Sequence, residues 1–356
     1  MTTISLVMIV KNEAAVIGRC LDSVKGLVDE IIVVDTGSGD ETKSISRSHG
    51  AKLFDFQWTD SFAEARNFAL SQSSCEWSLV LDADEWVSND CNEAIRQFIQ
   101  GPQRIGRIKR INKFKGKSDD SYAQDFVSRL FPSILRYEGS IHEQIVTQLP
   151  REIVQIECRH DGYYDSSRSK RNIPLLEKEL AHDADNAYLL YQLAKEYRGL
   201  EDYESAYTYL LNAYHHGQIT DSFYPYIIVD LIYAAIECVK LKEVLDIVYL
   251  AKNLWLDFSD IHFVVGLYYL ELISKYTEQY IHLLPEIELC YKKCLSIGEN
   301  NLYDSVLGTG SYLANHNLGV FYEVTGNLQQ AVDCYQRASN QMYQPSIDRL
   351  KSLSIG

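Results

Sequence analysis

The chain has 356 residues, 46% of them apolar and 23% charged, with a formal charge of −15. That length can hold two domains with separate cores, and that composition excludes a disordered chain. The acidic surplus argues against nucleic acid or an anionic membrane as the main partner.

The apolar run Ile4–Val10 predicts a first strand, followed by Lys11-Asn12-Glu13 and a helix that sets Val16, Ile17, Cys20, Leu21 and Val24 on one face. Glu30 to Asp35 predicts a second buried strand ending in an acid, and Thr36-Gly37-Ser38-Gly39-Asp40 a turn. A helix to about Gly50, a short strand Lys52–Phe56 and a helix through Phe62–Leu70 come next. Strands alternating with helices imply a parallel sheet, and such sheets bind ligands beyond the C-terminal ends of their strands.

One such end is chemically loaded. The run Ser78-Leu79-Val80-Leu81 stops at Asp82-Ala83-Asp84-Glu85. In an extended chain Asp82 and Asp84 share one face and Glu85 takes the other. Carboxylates held that close call for a cation, and Mn²⁺ or Mg²⁺ typically combines one or two of them with substrate phosphates. A calcium loop starting at Asp82 fails where Trp86 and Val87 stand in place of an oxygen ligand and a turn glycine. A dinucleotide fold needs glycines directly after the first strand, where this chain has Lys11-Asn12-Glu13.

Four motifs in order then carry a resemblance: Met8-Ile9-Val10-Lys11-Asn12-Glu13, Val33-Val34-Asp35-Thr36-Gly37-Ser38 with Asp40 and Thr42, Ala65-Arg66-Asn67, and Leu81-Asp82-Ala83-Asp84-Glu85. Together they resemble the inverting family 2 glycosyltransferases of the GT-A fold. The resemblance implies that Val10, Asn12, Glu13, Asp35, Arg66, Asp82 and Ala83 bind the nucleotide and sugar. Asp35 would hold the base of a UDP-sugar, Arg66 would reach the diphosphate, Asp82 would touch ribose or sugar, and Asp84 would ligate the metal. Tyr137-Glu138-Gly139-Ser140-Ile141-His142-Glu143-Gln144 looks like the family's acceptor-side loop, with Glu143 favoured over His142 as catalytic base. Ile156 to Tyr163 resembles its histidine motif, making His160 a further metal ligand or phosphate contact; Glu85 is an additional candidate.

Between Arg104 and Lys117 seven basic residues alternate with Ile105, Ile108, Ile111 and Phe114, a pattern read as a partly buried strand with lysines guarding a sheet edge. Ser118-Asp119-Asp120-Ser121 reads as a mobile loop. The eight cysteines lack paired spacing and read as free thiols; Cys290 and Cys294, one helical turn apart, read as packing residues. Ile4–Val10 is too short for a signal core, and no stretch approaches the roughly 18 apolar residues of a membrane span, so the expectation is a cytoplasmic protein.

From about Arg168 the pattern turns to long helices. Leu190, Leu193, Ala194, Tyr197, Ala206, Leu210 and Ala213 fit the tetratricopeptide template, as do Leu318, Gly319, Tyr322, Ala331, Tyr335 and Ala338. Degenerate repeats around Ala235 and Gly266 lie between, the second interrupted by an insertion. Tyr207, Tyr209, Tyr214, Tyr268 and Tyr280 read as packing residues, with a peptide groove or subunit contact as the other reading. The expected organisation is an α/β GT-A domain with a mainly parallel sheet over 1–167 and an all-α repeat domain over 168–356. Such a fusion resembles bacterial enzymes that glycosylate peptides or proteins in the cytosol, including S-glycosyltransferases of sublancin-like bacteriocins. The resemblance implies hexosyl or N-acetylhexosaminyl transfer from a UDP-sugar to a peptide or protein, with the repeats docking the acceptor or pairing two subunits. A lipid or oligosaccharide acceptor, or a relict domain on a scaffold, are the alternatives.

Overall fold

The computed structural model describes residues 2–115, 120–161 and 167–353, and it divides into two compact units, Met1–Asp165 and Ser166–Gly356. In the first unit β1 (Ile4–Val10), α1 (Ile17–Ser23), β2 (Glu30–Asp35), α2 (Thr42–Ser48), β3 (Lys52–Asp55), α3 (Phe62–Ser71) and β4 (Trp77–Val80) alternate as the apolar runs predict. After them come β5 (Glu85–Val87), α4 (Asn92–Gln100), β6 (Ile105–Lys115), β7 (Asp120–Pro132), the two-residue strands β8 (Tyr137–Glu138) and β9 (Gln144–Ile145), and β10 (Arg151–His160).

The main sheet runs β3-β2-β1-β4-β7-β6-β10-β5. Pairing is parallel where helices return the chain (β2–β3, β1–β2, β1–β4) and between β6 and β10. It is antiparallel at β4–β7, β6–β7 and β5–β10, so the sheet is mixed and mostly parallel. Alternation along β1 explains its layers. Ile4, Leu6, Met8 and Val10 join a core with Ile17, Cys20, Leu21, Ile95 and Phe98, whereas Val7 faces Ala63, Ala69 and Leu70 of α3.

Two expectations change here. The basic strand β6 is not an edge: it lies between β7 and β10. Its charges are matched across the ladder instead, Arg110 to Asp125, Lys113 to Asp120 and Lys109 to Glu157. Of the expected loop, Ser118 and Asp119 lie outside the described residues, while Asp120 and Ser121 begin β7 and pair with β6. Lys117, Gly162 and Tyr163 also lie outside the described residues.

The second unit comprises α5 (Ser167–Leu180), α6 (Ala187–Gly199), α7 (Tyr203–His216), α8 (Tyr224–Glu237), α9 (Leu245–Leu254), α10 (Ser259–Lys275), α11 (Thr277–Tyr280), α12 (Leu284–Ile297), α13 (Tyr312–Val324), α14 (Leu328–Ser339) and α15 (Gln344–Leu353). Asn186 caps α6 by accepting from Leu189 N, and Asp202 caps α7 by accepting from Ser205 N. The short α11 fills the insertion within the third repeat. Helices pair closely because small residues meet rings: a Cβ on Gly319 would stand 2.7 Å from Tyr335 Cε1, and one on Gly266 2.9 Å from Tyr291 Cζ. Of the singled-out tyrosines, Tyr207, Tyr268 and Tyr280 are buried and Tyr209 and Tyr214 pack partly buried on the same core, which is the packing reading. The Tyr268 hydroxyl donates to Leu241 O at 2.7 Å, satisfying its one polar atom. Cys290 and Cys294 are buried and free, and no helix among the described residues is long and apolar enough to cross a membrane.

Candidate active site

The C-terminal ends of β1 and β2 meet in a braced turn. Asp35 ends β2, and its Oδ1 accepts from Gly37 N at 2.9 Å and Ser38 N at 2.8 Å. Gly37 has φ +112°, a left-handed value suited to glycine. Asn12 N donates to Ser38 Oγ at 2.8 Å, Gly39 N donates to Asn12 Oδ1 at 2.8 Å, Glu13 N donates to Thr42 Oγ1 at 2.7 Å and Ala14 N to Asp40 Oδ2 at 3.1 Å. Val10 O accepts from both Thr36 N and Thr36 Oγ1. Val10, Asn12 and Glu13 thus lend backbone and side chain to the turn that carries Asp35. Asp35 is 1% exposed, yet its Oδ2 is buried with no hydrogen-bond partner. Burial raises the Asp35 carboxyl, but hydrogen bonds from Ser38 and Gly37 and the charge of Lys43 outweigh it and hold the group below its ordinary value. An ionised carboxylate with a spare buried oxygen suits an N–H donor.

The Asp82–Glu85 segment is a turn rather than an extended end. β4 stops at Val80, Glu85 N donates to Asp82 O at 3.0 Å, and Asp82 N donates to Glu85 Oε2 at 3.0 Å. The turn separates the acids that an extended strand would have placed together. Asp82 lies between two guanidinium groups, Arg66 Nη2 at 2.8 Å and Arg129 Nη2 at 2.7 Å. Glu85 is fully buried and accepts from Arg110 Nη1 at 2.7 Å and Arg129 Nη2 at 2.8 Å, so it anchors the turn. Ala83, 4% exposed, spaces the two aspartates. Burial pushes the Asp82 carboxyl up, while Arg129 and Arg66 pull it much further down, well below the usual carboxylate range.

The loop expected to be on the acceptor side reaches the same arginine. The β8–β9 hairpin is fastened to α3: Asn67 Nδ2 donates to Tyr137 O at 2.9 Å, Tyr137 N donates back to Asn67 Oδ1 at 2.8 Å, and Phe62 N donates to Ser140 O at 2.7 Å. This brings Glu143 Oε1 onto Arg66 Nε. Arg66, 8% exposed, therefore joins Glu143 to Asp82 and keeps its third nitrogen, Nη1, buried without a partner. His142 precedes Glu143 with φ +51°.

Asp84 turns the other way. It is 7% exposed, and its Oδ2 lies 3.3 Å from His160 Nε2 at the end of β10. The carboxylate oxygen suits Mn²⁺ or Mg²⁺, the imidazole nitrogen is a second donor that suits Mn²⁺ better than Mg²⁺, and further positions are left to phosphate and water. Among the described residues no group of three His, Cys, Asp or Glu side chains converges as a closed metal cage would.

The structure therefore brings Arg66, Asp82 and Glu143 together, sets Asp84 with His160, and puts Asp35 at the end of β2, with β1 between it and β4. Arg129 belongs to none of the motifs, and Arg110 is one of the basic residues between Arg104 and Lys117. Arg129 stands inside the apolar run Phe126–Phe131, and a charge within such a run was the available signal of a buried, paired group.

Residues 5–148 match the model of the family described as Glycosyl transferase family 2. The chain is 32% identical over 214 residues to a TPR repeat-containing protein of Synechococcus elongatus, covering 54% of this chain and 52% of that one. It is 28% identical over 230 residues to the SPbeta prophage-derived glycosyltransferase SunS of Bacillus subtilis, covering 58% and 52%. An uncharacterized glycosyltransferase of Rickettsia felis is 42% identical over 95 residues, covering 27% of this chain and 33% of its own. The chain thus spans about half the length of the first two relatives. The acids beyond the strand ends, the buried arginine that joins Asp82 to Glu143 and the matched segment lead to one conclusion: residues 5–148 are a segment similar to the glycosyl transferase family 2 domain, and an all-helical unit whose sequence resembles tetratricopeptide repeats follows it.

Proposed function

We propose that the chain is an inverting glycosyltransferase that moves a sugar from a UDP-sugar to a peptide or protein side chain, a serine, threonine or cysteine, with Mn²⁺ or Mg²⁺ bound. The observation that carries the reading is Arg66, whose one guanidinium spans Asp82 and Glu143 and still has Nη1 buried without a partner. That donor suits an anionic oxygen of the departing diphosphate. The unshared Oδ2 of Asp35 suits the imide N–H of uracil. Asp84 and His160 would hold the cation, which when bound supplies charge neutralisation to the leaving group.

Within that frame each residue has a task. Asp82, oriented from both sides by arginines, accepts hydroxyl groups of the ribose or sugar. Arg66 spreads the leaving group's negative charge. Glu143 engages Arg66 through Oε1, so Oε2 takes the proton from the acceptor as its nucleophile closes on the anomeric carbon. The repeats dock the acceptor polypeptide or pair two subunits.

Incubation with UDP-sugars and Mn²⁺ tests the proposal directly. UDP release should appear with one donor, and Asp84→Asn should reduce it at least about 100-fold, the loss expected when a group stabilising the transition state is removed. Full turnover by Asp84→Asn in chelator, or no binding and no release across common donors, would overturn it; a mass-shift screen of small peptides then identifies the acceptor.

A further inference from the structure

The parallel register of β6 with β10 makes Asn112 and His160 direct neighbours. Both are buried, 3% and 7% exposed, and Asn112 Oδ1 lies 2.8 Å from His160 Nδ1. An amide oxygen only accepts, so in this contact Nδ1 carries the ring proton. The other ring nitrogen, Nε2, then faces Asp84 Oδ2, 3.3 Å away. A carboxylate oxygen and a ring nitrogen brought together in a buried place can serve one cation as a pair of donors.

We propose that Asn112 is a positioning residue for the metal: it holds His160 in the Nδ1–H tautomer, so that Nε2 and the Asp84 carboxylate together become the protein's ligands. The inference rests on the metal reading above and adds the group that orients its nitrogen ligand. Histidines that bind metals generally need their second nitrogen fixed by an acceptor, and losing that acceptor commonly weakens metal binding. The neutral amide performs the task without adding a charge beside Asp84.

The test uses the full chain. In metal-free protein with ¹⁵N-labelled histidine, and with His160→Gln to identify the signals, the wild-type ring of His160 should be protonated at Nδ1. Asn112→Leu should shift the ring toward the other tautomer. In calorimetric titration of the UDP-bound protein with Mn²⁺, Asn112→Leu should bind roughly 10–100-fold more weakly, while Asn112→Asp, which keeps an acceptor, recovers most of that loss. A wild-type ring without a proton on Nδ1 overturns the proposal even should Asn112→Leu fail to fold. So does wild-type Mn²⁺ affinity in Asn112→Leu when Asp84→Asn and His160→Gln have lost it. Unchanged affinity in all three variants instead overturns the metal reading itself.

Discussion

The two units bury polar groups in opposite ways. In the first, ionisable groups gather around one turn: Arg66, Asp84, Glu85, Arg129 and His160 are buried at or beside Asp82–Glu85, and Asp35 is buried at the end of β2. In the second, the large buried polar side chains are mainly tyrosines such as Tyr268, Tyr291 and Tyr335, whose rings fill the contacts between helices. Burying a charge is costly and persists where geometry and partners are supplied, whereas a tyrosine brings apolar area with a single hydroxyl to satisfy. A buried cation in the first unit therefore points to chemistry, and a buried ring in the second to architecture.

The largest effect should come from Arg66→Met, which strips the shared cation from Asp82 and Glu143 at once. Unfolding free energy should fall by about 3–5 kcal/mol, as when one partner of a buried pair is lost. UDP release should fall by about 100-fold or more. Denaturant unfolding and initial rates check both, and a variant intact in both respects would erase the contrast between the units. Next comes Gly319→Val, whose new side chain collides with the Tyr335 ring; overpacking of this kind costs about 2 kcal/mol. Its melting temperature should drop by several degrees while UDP release at low temperature stays as in the wild type.

Asp260, which with Asp230 is one of two buried acids in the helical unit among the described residues, sharpens the comparison: it accepts from Thr309 Oγ1 and from Val306 N at 2.8 Å. Burial pushes its carboxyl up to about 7, against those hydrogen bonds. A folded-state value above the unfolded one means that its stabilising contribution is full below about pH 4 and is lost as pH rises to about 7. Asp260→Asn should remove that dependence, so its melting temperature relative to the wild type should climb between about pH 4.5 and pH 8; a flat difference would refute the assignment. The smallest effect belongs to Lys292→Gln, which breaks a surface pair with Glu288 one helical turn away. Unfolding free energy should change by no more than about 0.5 kcal/mol.

Much of the first unit was legible because its strands end where apolar runs end, and Asp35, Asp82 and Asp84 sit at those boundaries. Arg66 and Glu143 were found through the resemblance, since no local pattern joins residues 77 positions apart. The extended arrangement assumed for Asp82 and Asp84 gave way to a turn because Glu85 reaches back to Asp82 N, a bond that depends on Arg110 and Arg129 from other strands. The edge reading of β6 failed for a related reason. Residues that neutralise a basic strand lie on β7 and β10, and pairing order across a sheet is a long-range property that alternation along one strand does not encode.

The cross-linked loop between Val10 and Thr42 carries one more implication. With Asn12, Ser38, Gly39, Asp40 and Thr42 bonded to one another or to adjoining backbone, the entropy of shaping that cradle is spent during folding. Under the proposed assignment of Asp35 to the base, engineering the domain toward a different nucleobase would accordingly demand redesign of the entire knot, because exchanging Asp35 alone would leave its inflexible surroundings unchanged.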